Sequence, residues 1–227
     1  MRPFLSETQD SDQLQDLGRA SVQIVHDLKN QLNGVKLYAT FLRKRLEKAD
    51  RPPEEMETLE KLISSVERAS DDLTTIVEYG KPLHLSKRAD VDVQNILQSV
   101  CDSLRENPSD QVSNVVTCKL TGEACRGEFD PERLAEAFRF ISRGALKMLQ
   151  QRKDARPLSV TLRKETDNTP RAVIEWTGVN HSAHDPFRSF AGSHEIKMSL
   201  AARIVEAHGG LAESDSENLV VTLPLSA

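Results

Sequence analysis

Apolar or small residues recur at positions 14, 18, 21, 25, 28, 32, 35, 39, 42 and 46, in alternating steps of four and three. That rhythm is a heptad seam, and at about 3.6 residues per turn only an α-helix gathers all of these positions into one stripe. Asp50-Arg51-Pro52-Pro53 ends the segment, because proline supplies no N–H and pushes the residue before it out of helical geometry. From Glu54 to Tyr79 the pattern resumes through Met56, Leu59, Ile63, Val66, Ser70, Leu73 and Val77. Glu54, Glu55 and Glu57 suit the positive end of that helix, and Gly80-Lys81-Pro82 stops it. Two seam helices joined by a tight turn make an antiparallel hairpin. Each stripe asks for more apolar surface than its neighbour can offer, so the pattern predicts a homodimer closed as a four-helix bundle.

Beyond a short linker through Asp90 the periodicity becomes mixed, which places a domain boundary near residue 85. The expected units are residues 1–85, the hairpin, and residues 86–227. In the second, Val91 to Arg105 reads as a helix with Val93, Ile96, Leu97, Val100 and Leu104 on one face. Val112 to Leu120 reads as a strand. Asp130-Pro131-Glu132 opens a helix to about Lys153, with Asp130 as N-cap and proline at the first helical position. Strands are expected at Leu158 to Lys164, Ala172 to Gly178 and Leu219 to Leu223, and a helix from Ile196 to His208 ahead of Gly209-Gly210. The fold class is therefore α+β: a helical hairpin followed by an α/β sandwich.

With 227 residues, 38% hydrophobic and only 4% aromatic, the chain suits a helix-rich protein with an aliphatic core. Its net charge of −5 argues against a general nucleic-acid binder. No apolar run approaches a membrane span, and the opening MRPFLSETQD has no apolar signal core, so a cytoplasmic protein with no membrane contact is expected. Cys101, Cys118 and Cys125 are odd in number and form no CxxC pair, which points to neither a disulfide framework nor a zinc site.

The chemistry-bearing candidate is VHDLKNQL, residues 25–32. At about 100° per residue His26 falls about 150° from the centre of the seam, on the outer face, and Asn30 one turn later shares that face. An imidazole there is largely neutral at cellular pH and can act as a nucleophile. A lone outward histidine is more often plain solvated surface. Its neighbours sharpen the question, because a carboxylate directly after it can orient the ring or take its proton.

His26-Asp27-Leu28-Lys29-Asn30 resembles the H-box of the two-component sensor histidine kinases: histidine, an acidic residue, two variable positions, then Thr or Asn. In that family the box lies on the first helix of the dimerisation and histidine phosphotransfer hairpin. The resemblance implies that His26 is the phosphoacceptor, that Asp27 is its acid/base or orienting partner, and that Asn30 supports a phosphatase reaction on a response regulator. Gln31 stands where family members often carry proline.

The resemblance continues through Asp130-Pro131-Glu132-Arg133-Leu134, similar to the start of the kinase N-box helix, and through Arg203-Ile204-Val205-Glu206-Ala207-His208-Gly209-Gly210, similar to the segment after the second glycine box. Between those landmarks the nucleotide-binding residues are replaced. Phe140 and Gly144 occupy the positions of the asparagine that helps hold Mg²⁺. Trp176-Thr177-Gly178-Val179-Asn180 replaces Asp-x-Gly-x-Gly, with Trp176 in the place of the aspartate that binds adenine. Glu175 cannot substitute, since one step along a strand turns the side chain to the other face. Ser193-His194-Glu195-Ile196-Lys197 replaces the second Gly-x-Gly-x-Gly, whose glycines let backbone amides approach phosphates.

The resemblance thus implies a dimeric hairpin followed by a degenerate, Bergerat-like kinase domain, acting as a histidine phosphotransferase in a phosphorelay. Its partners would be response-regulator receiver domains and an upstream hybrid kinase, and it would bind no cofactor of its own, the Mg²⁺ belonging to the receiver. The alternatives are a divergent sensor histidine kinase with residual ATP use or phosphorylated in trans, and a non-enzymatic scaffold for receivers. Absence of an evident sensor segment weighs mildly against a sensor. His181, His184 and His194 with Asp185 are read as a solvated loop rather than a metal site, and His208 as a structural residue at a helix C-terminus where positive charge is favourable.

Overall fold

The computed structural model describes residues 6–47, 53–106, 116–120, 122–151, 157–166, 169–179, 185–189, 193–215 and 217–226, with side chains throughout except at residues 6–23, 26, 53, 106, 151 and 193. The chain divides into two compact units, Met1–Pro82 and Leu83–Ala227.

In the first unit α1 (Ser6–Leu46) and α2 (Pro53–Gly80) form the expected hairpin. Ala39, Leu59 and Ile63 are buried against one another with Leu46 packed beside them, and Val66 continues the α2 seam. A Lys36–Glu67 ion pair of 2.8 Å joins the two helices at the surface. The hairpin leaves a second apolar line uncovered within this chain. Ile24, Leu28, Val35 and Leu42 are 60%, 43%, 45% and 53% exposed.

The second unit is a mixed five-stranded sheet with three helices against one face, and a separate two-stranded ribbon. The ribbon pairs β1 (Arg88–Asp92) with β3 (Arg126–Phe129), antiparallel, with an irregularity between Arg88 and Val91 where Asp90 takes φ 61°. The large sheet runs β2 (Val116–Lys119), β4 (Leu158–Glu165), β5 (Arg171–Thr177), β7 (Asn218–Pro224), β6 (Leu211–Ser214), and only the β2–β4 pair is parallel. Its helices are α3 (Val93–Glu106), α4 (Pro131–Gln151) and α5 (Ser193–Ala207).

Register builds the core. Val160 lies opposite Trp176 and Leu162 opposite Ile174, while Trp176, Ile174 and Ala172 lie opposite Leu219, Val221 and Leu223. Cross-strand partners share a face, so these side chains form one apolar sheet that is almost wholly buried. The alternate positions face outward, where Arg163 pairs with Glu175 at 3.1 Å.

Three short strands escaped the sequence reading. β1, β3 and β6 have four or five residues with one large apolar side chain each, too few for a period to register. The expected helix start at Val91 is corrected to Val93, because Asp92 is the cap: its carboxylate accepts the N–H of Gln94 at 3.0 Å and of Cys125 at 3.2 Å. Helix α5 begins at Ser193, earlier than the expected Ile196. Residues 112–115 of the expected β2 strand and 152–153 of the α4 helix lie outside the described residues.

Candidate functional site

His26 lies in α1, which runs unbroken from Ser6 through Gln31 to Leu46. The absence of the proline common at that point in the resembling family leaves every backbone N–H there available to the helix. The His26 side chain lies outside the described residues. Asp27 and Asn30 are both exposed. Asn30, Leu37 and Phe41 follow one another at seven and four residues, so they fall on one stripe with position 26, away from Ala39. Leu37 is 54% and Phe41 59% exposed, which gives the stripe that begins at position 26 an apolar lower half.

Of the second-unit positions singled out by the sequence, Trp176 and Gly144 are built into the core, while Phe140 is half-buried. Trp176 is fully buried on β5, and its indole Nε1–H donates to Ser142 Oγ on α4 at 2.9 Å. Its ring centroid lies 6.2 Å from that of Phe138 at a tilt of 52°. Ser142 is itself fully buried, so donor and acceptor satisfy each other in a dry interface. Burying an indole is worth roughly 1.5–3 kcal/mol by area, which makes Trp176 a main anchor of sheet to helix. Sequence reasoning passed over Ser142. The signal was there, because it lies on the stripe of Leu134, Phe138, Ile141, Ala145 and Leu149, where a hydroxyl needs a partner.

Gly144 is equally committed to packing. A β-carbon there would stand 2.5 Å from Met198 Sδ, so the missing side chain lets α5 approach α4. Ser193 to Lys197 do not form a loop but open α5, with Glu195 accepting a hydrogen bond from Ser189 and Ser199 donating to the Ser189 carbonyl at 2.9 Å. Glu175 points away from Trp176 and is engaged by Arg163. Among the described residues no three His, Cys, Asp or Glu side chains gather as metal ligands, and His181 and His184 lie outside the described residues.

Asp130 and His208 tie the three segments at the head of α4. The Asp130 carboxylate accepts the N–H groups of Ser86 at 2.8 Å and of Glu132 and Arg133 at 3.1 Å each. Burial would raise its pKa, but those three donors hold it below the ordinary carboxylate value. Its own N–H donates to His208 Nε2 at 3.0 Å, while the other ring nitrogen, Nδ1, lies 2.7 Å from the Ile204 carbonyl. A backbone N–H can only donate, so Nε2 is unprotonated and Nδ1 carries the hydrogen. The expected cation at the C-terminus of α5 is thus a neutral imidazole, and burial lowers its pKa. Gly209, at φ 78°, then ends the helix as only glycine does at little cost.

Compared with known proteins, the chain matches no family model. Sensor histidine kinase ZraS of Klebsiella oxytoca is 23% identical over 218 residues, covering 90% of this chain and 44% of its own length. Among solved structures, full-length ShkA in complex with AMPPNP superposes with TM-score 0.68 at 16% identity over 92% of this chain and 46% of that one. Histidine kinase ThkA in complex with response regulator protein TrrA gives TM-score 0.61 at 16% identity, covering 97% of this chain and 65% of that chain. Histidine kinase AdeS of Acinetobacter baumannii gives 0.55 at 15% identity over 88% and 97%. The chain has the fold of these kinases, a helical hairpin and an ATPase-like α/β unit, and spans less than half the length of ZraS.

Proposed function

We propose that this chain is a histidine phosphotransferase of a two-component phosphorelay, in which His26 passes a phosphoryl group to or from the aspartates of receiver domains. The observation that carries the proposal is the Trp176–Ser142 bond. Where the resembling kinases have an aspartate to accept from adenine, this chain has an indole that only donates and is spent on its own α4. Gly144 packed against Met198, and a helix at residues 193–197, support the same reading for the Mg²⁺ and phosphate elements. The histidine, by contrast, keeps its acidic neighbour and its amide.

In this reading a ring nitrogen of His26 attacks the phosphorus of an aspartyl phosphate on a receiver. The N–P bond forms as the P–O bond to the aspartate breaks, and Asp27 orients the ring or takes its proton. A receiver's own Mg²⁺ would neutralise the phosphoryl oxygens, so the chain needs no metal, and Asn30 would support hydrolysis on a docked regulator. The exposed Leu37 and Phe41 on the stripe of position 26 support docking there. Ile24, Leu28, Val35 and Leu42 support closure of a homodimeric four-helix bundle, and the hairpin and the kinase-like unit serve as separate domains. No helix among the described residues is long and apolar enough to cross a membrane, which accords with a cytoplasmic place in the relay.

The relatives favour a second reading, a divergent sensor histidine kinase, since each named neighbour is a kinase. The purified chain should be offered labelled ATP with Mg²⁺, or a phosphorylated receiver, beside a His26→Ala control. Label from the receiver and none from ATP is expected. Label from ATP alone would overturn the relay in favour of the kinase. No label on His26 from either donor leaves the scaffold.

A further inference from the structure

In the second unit a cavity of about 490 Å³ lies between the first turns of α4 and the segment from His84 to Arg88. Every side chain that lines it is polar or charged. Two of its three carboxylates are already engaged. Asp130 accepts three backbone N–H groups, among them those of Glu132 and Arg133, so the end of the helix is not what the cavity leaves open. Glu136 takes a hydrogen bond from Arg133 at 2.8 Å. Glu132 is the exception, because Arg88 stands 3.8 Å from it, beyond hydrogen-bond reach. Donors are therefore left over. Among the described residues Arg139 has no hydrogen bond or ion pair, since the acid three positions before it is held by Arg133. His84 and the Ser86 hydroxyl have none either.

We propose that this cavity binds a phosphate monoester of a small sugar or polyol. The inference does not rest on the phosphotransfer reading. A phosphoryl group presents three terminal oxygens, and the guanidinium groups of Arg139 and Arg88 and an N–H of His84 are the unspent donors that match them. A carboxylate offers only two. The remainder of the ligand follows from what the lining lacks. An aromatic base or an acyl chain would find no apolar side chain to pack on, whereas hydroxyl groups would find the Glu132 carboxylate as acceptor and Ser86 Oγ as partner. Size agrees, because the volume is that of a small-molecule site and inorganic phosphate would leave most of it to water. So bound, the ligand would join residues 84–88 to α4.

The test is calorimetry on the full chain with ribose 5-phosphate, inorganic phosphate and ribose at up to millimolar concentration. One ribose 5-phosphate should bind per chain, inorganic phosphate should bind more weakly, and ribose should give no heat. Arg139→Gln and Arg88→Gln should each weaken ribose 5-phosphate by about tenfold or more, as expected for a lost charge-assisted contact. Glu132→Ala should weaken ribose 5-phosphate and leave inorganic phosphate no weaker. Lys147→Gln removes an exposed cation of the same helix outside the cavity and should change nothing. All four replaced side chains are exposed, and melting temperatures close to the parent's show that the variants fold. The proposal is overturned by absence of saturable ribose 5-phosphate binding, by inorganic phosphate binding as tightly as the ester, or by an equal loss in Lys147→Gln, which would reduce the site to general surface charge.

Discussion

Replacing Ser142 by alanine removes one oxygen and changes little volume, yet the structure gives it a large cost. Ser142 and Trp176 are both fully buried and bonded at 2.9 Å, so the variant strands an indole N–H where water cannot reach it. An orphaned buried donor costs about 1–3 kcal/mol. Trp176→Phe removes the donor and part of the ring, at about 1–3 kcal/mol for the space left behind. In the double variant no N–H remains to be orphaned, so the alanine should then cost close to nothing. The cycle should return a coupling of about 1–2 kcal/mol, within the range for residues in direct contact. Urea unfolding of all four chains, followed by far-UV circular dichroism because Trp176 is the one tryptophan, measures it. Additive costs, or a Ser142→Ala chain as stable as the parent, would refute the dry hydrogen bond and with it the claim that the indole is committed to the core. In the unaltered chain Trp176 fluorescence should resist acrylamide quenching and should not respond to ATP with Mg²⁺.

Restoring the asparagine of the resembling family with Gly144→Asn should destabilise the second unit by about 1–3 kcal/mol through overpacking against Met198, and calorimetry with nucleotide should show no heat of binding. The buried pair Asp130–His208 sets a pH dependence of stability. The pKa of His208 is lowered on folding, so its contribution is present above the unfolded value of about 6.5 and is lost as pH falls from there through the folded value. Asp130, also lowered, holds its contribution above its unfolded value of about 3.9 and loses it at more acid pH. Melting temperatures across pH 3–8 should show both losses, and His208→Gln should flatten only the upper one. Val35→Asp with Leu42→Asp should shift the chain toward monomer in sedimentation while leaving the helical content of the second unit unchanged.

Much of the fold was legible in the chain because its periods are long. A heptad sustained over ten positions admits one structure, and a proline after an aspartate marks the start of α4 wherever the rest of the fold lies. The short strands β1, β3 and β6 were not legible, because four or five residues carry little period; β1 and β3 find each other across more than thirty residues, and β6 turns straight back onto β7.

The candidate site divides the same way. His26, Asp27 and Asn30 are local: helical spacing alone sets positions 26 and 30 on one outer face. The resemblance set Trp176 and Gly144 at the positions where that kinase family has Asp and Asn. What those residues do instead was not legible, because an indole finding a serine 34 positions away depends on how helices and sheet pack. Only tertiary structure assigns the proton of His208 to Nδ1, since the deciding donor, the N–H of Asp130, comes from another segment of the chain. Periodicity fixes which way a side chain faces, and packing decides what it meets.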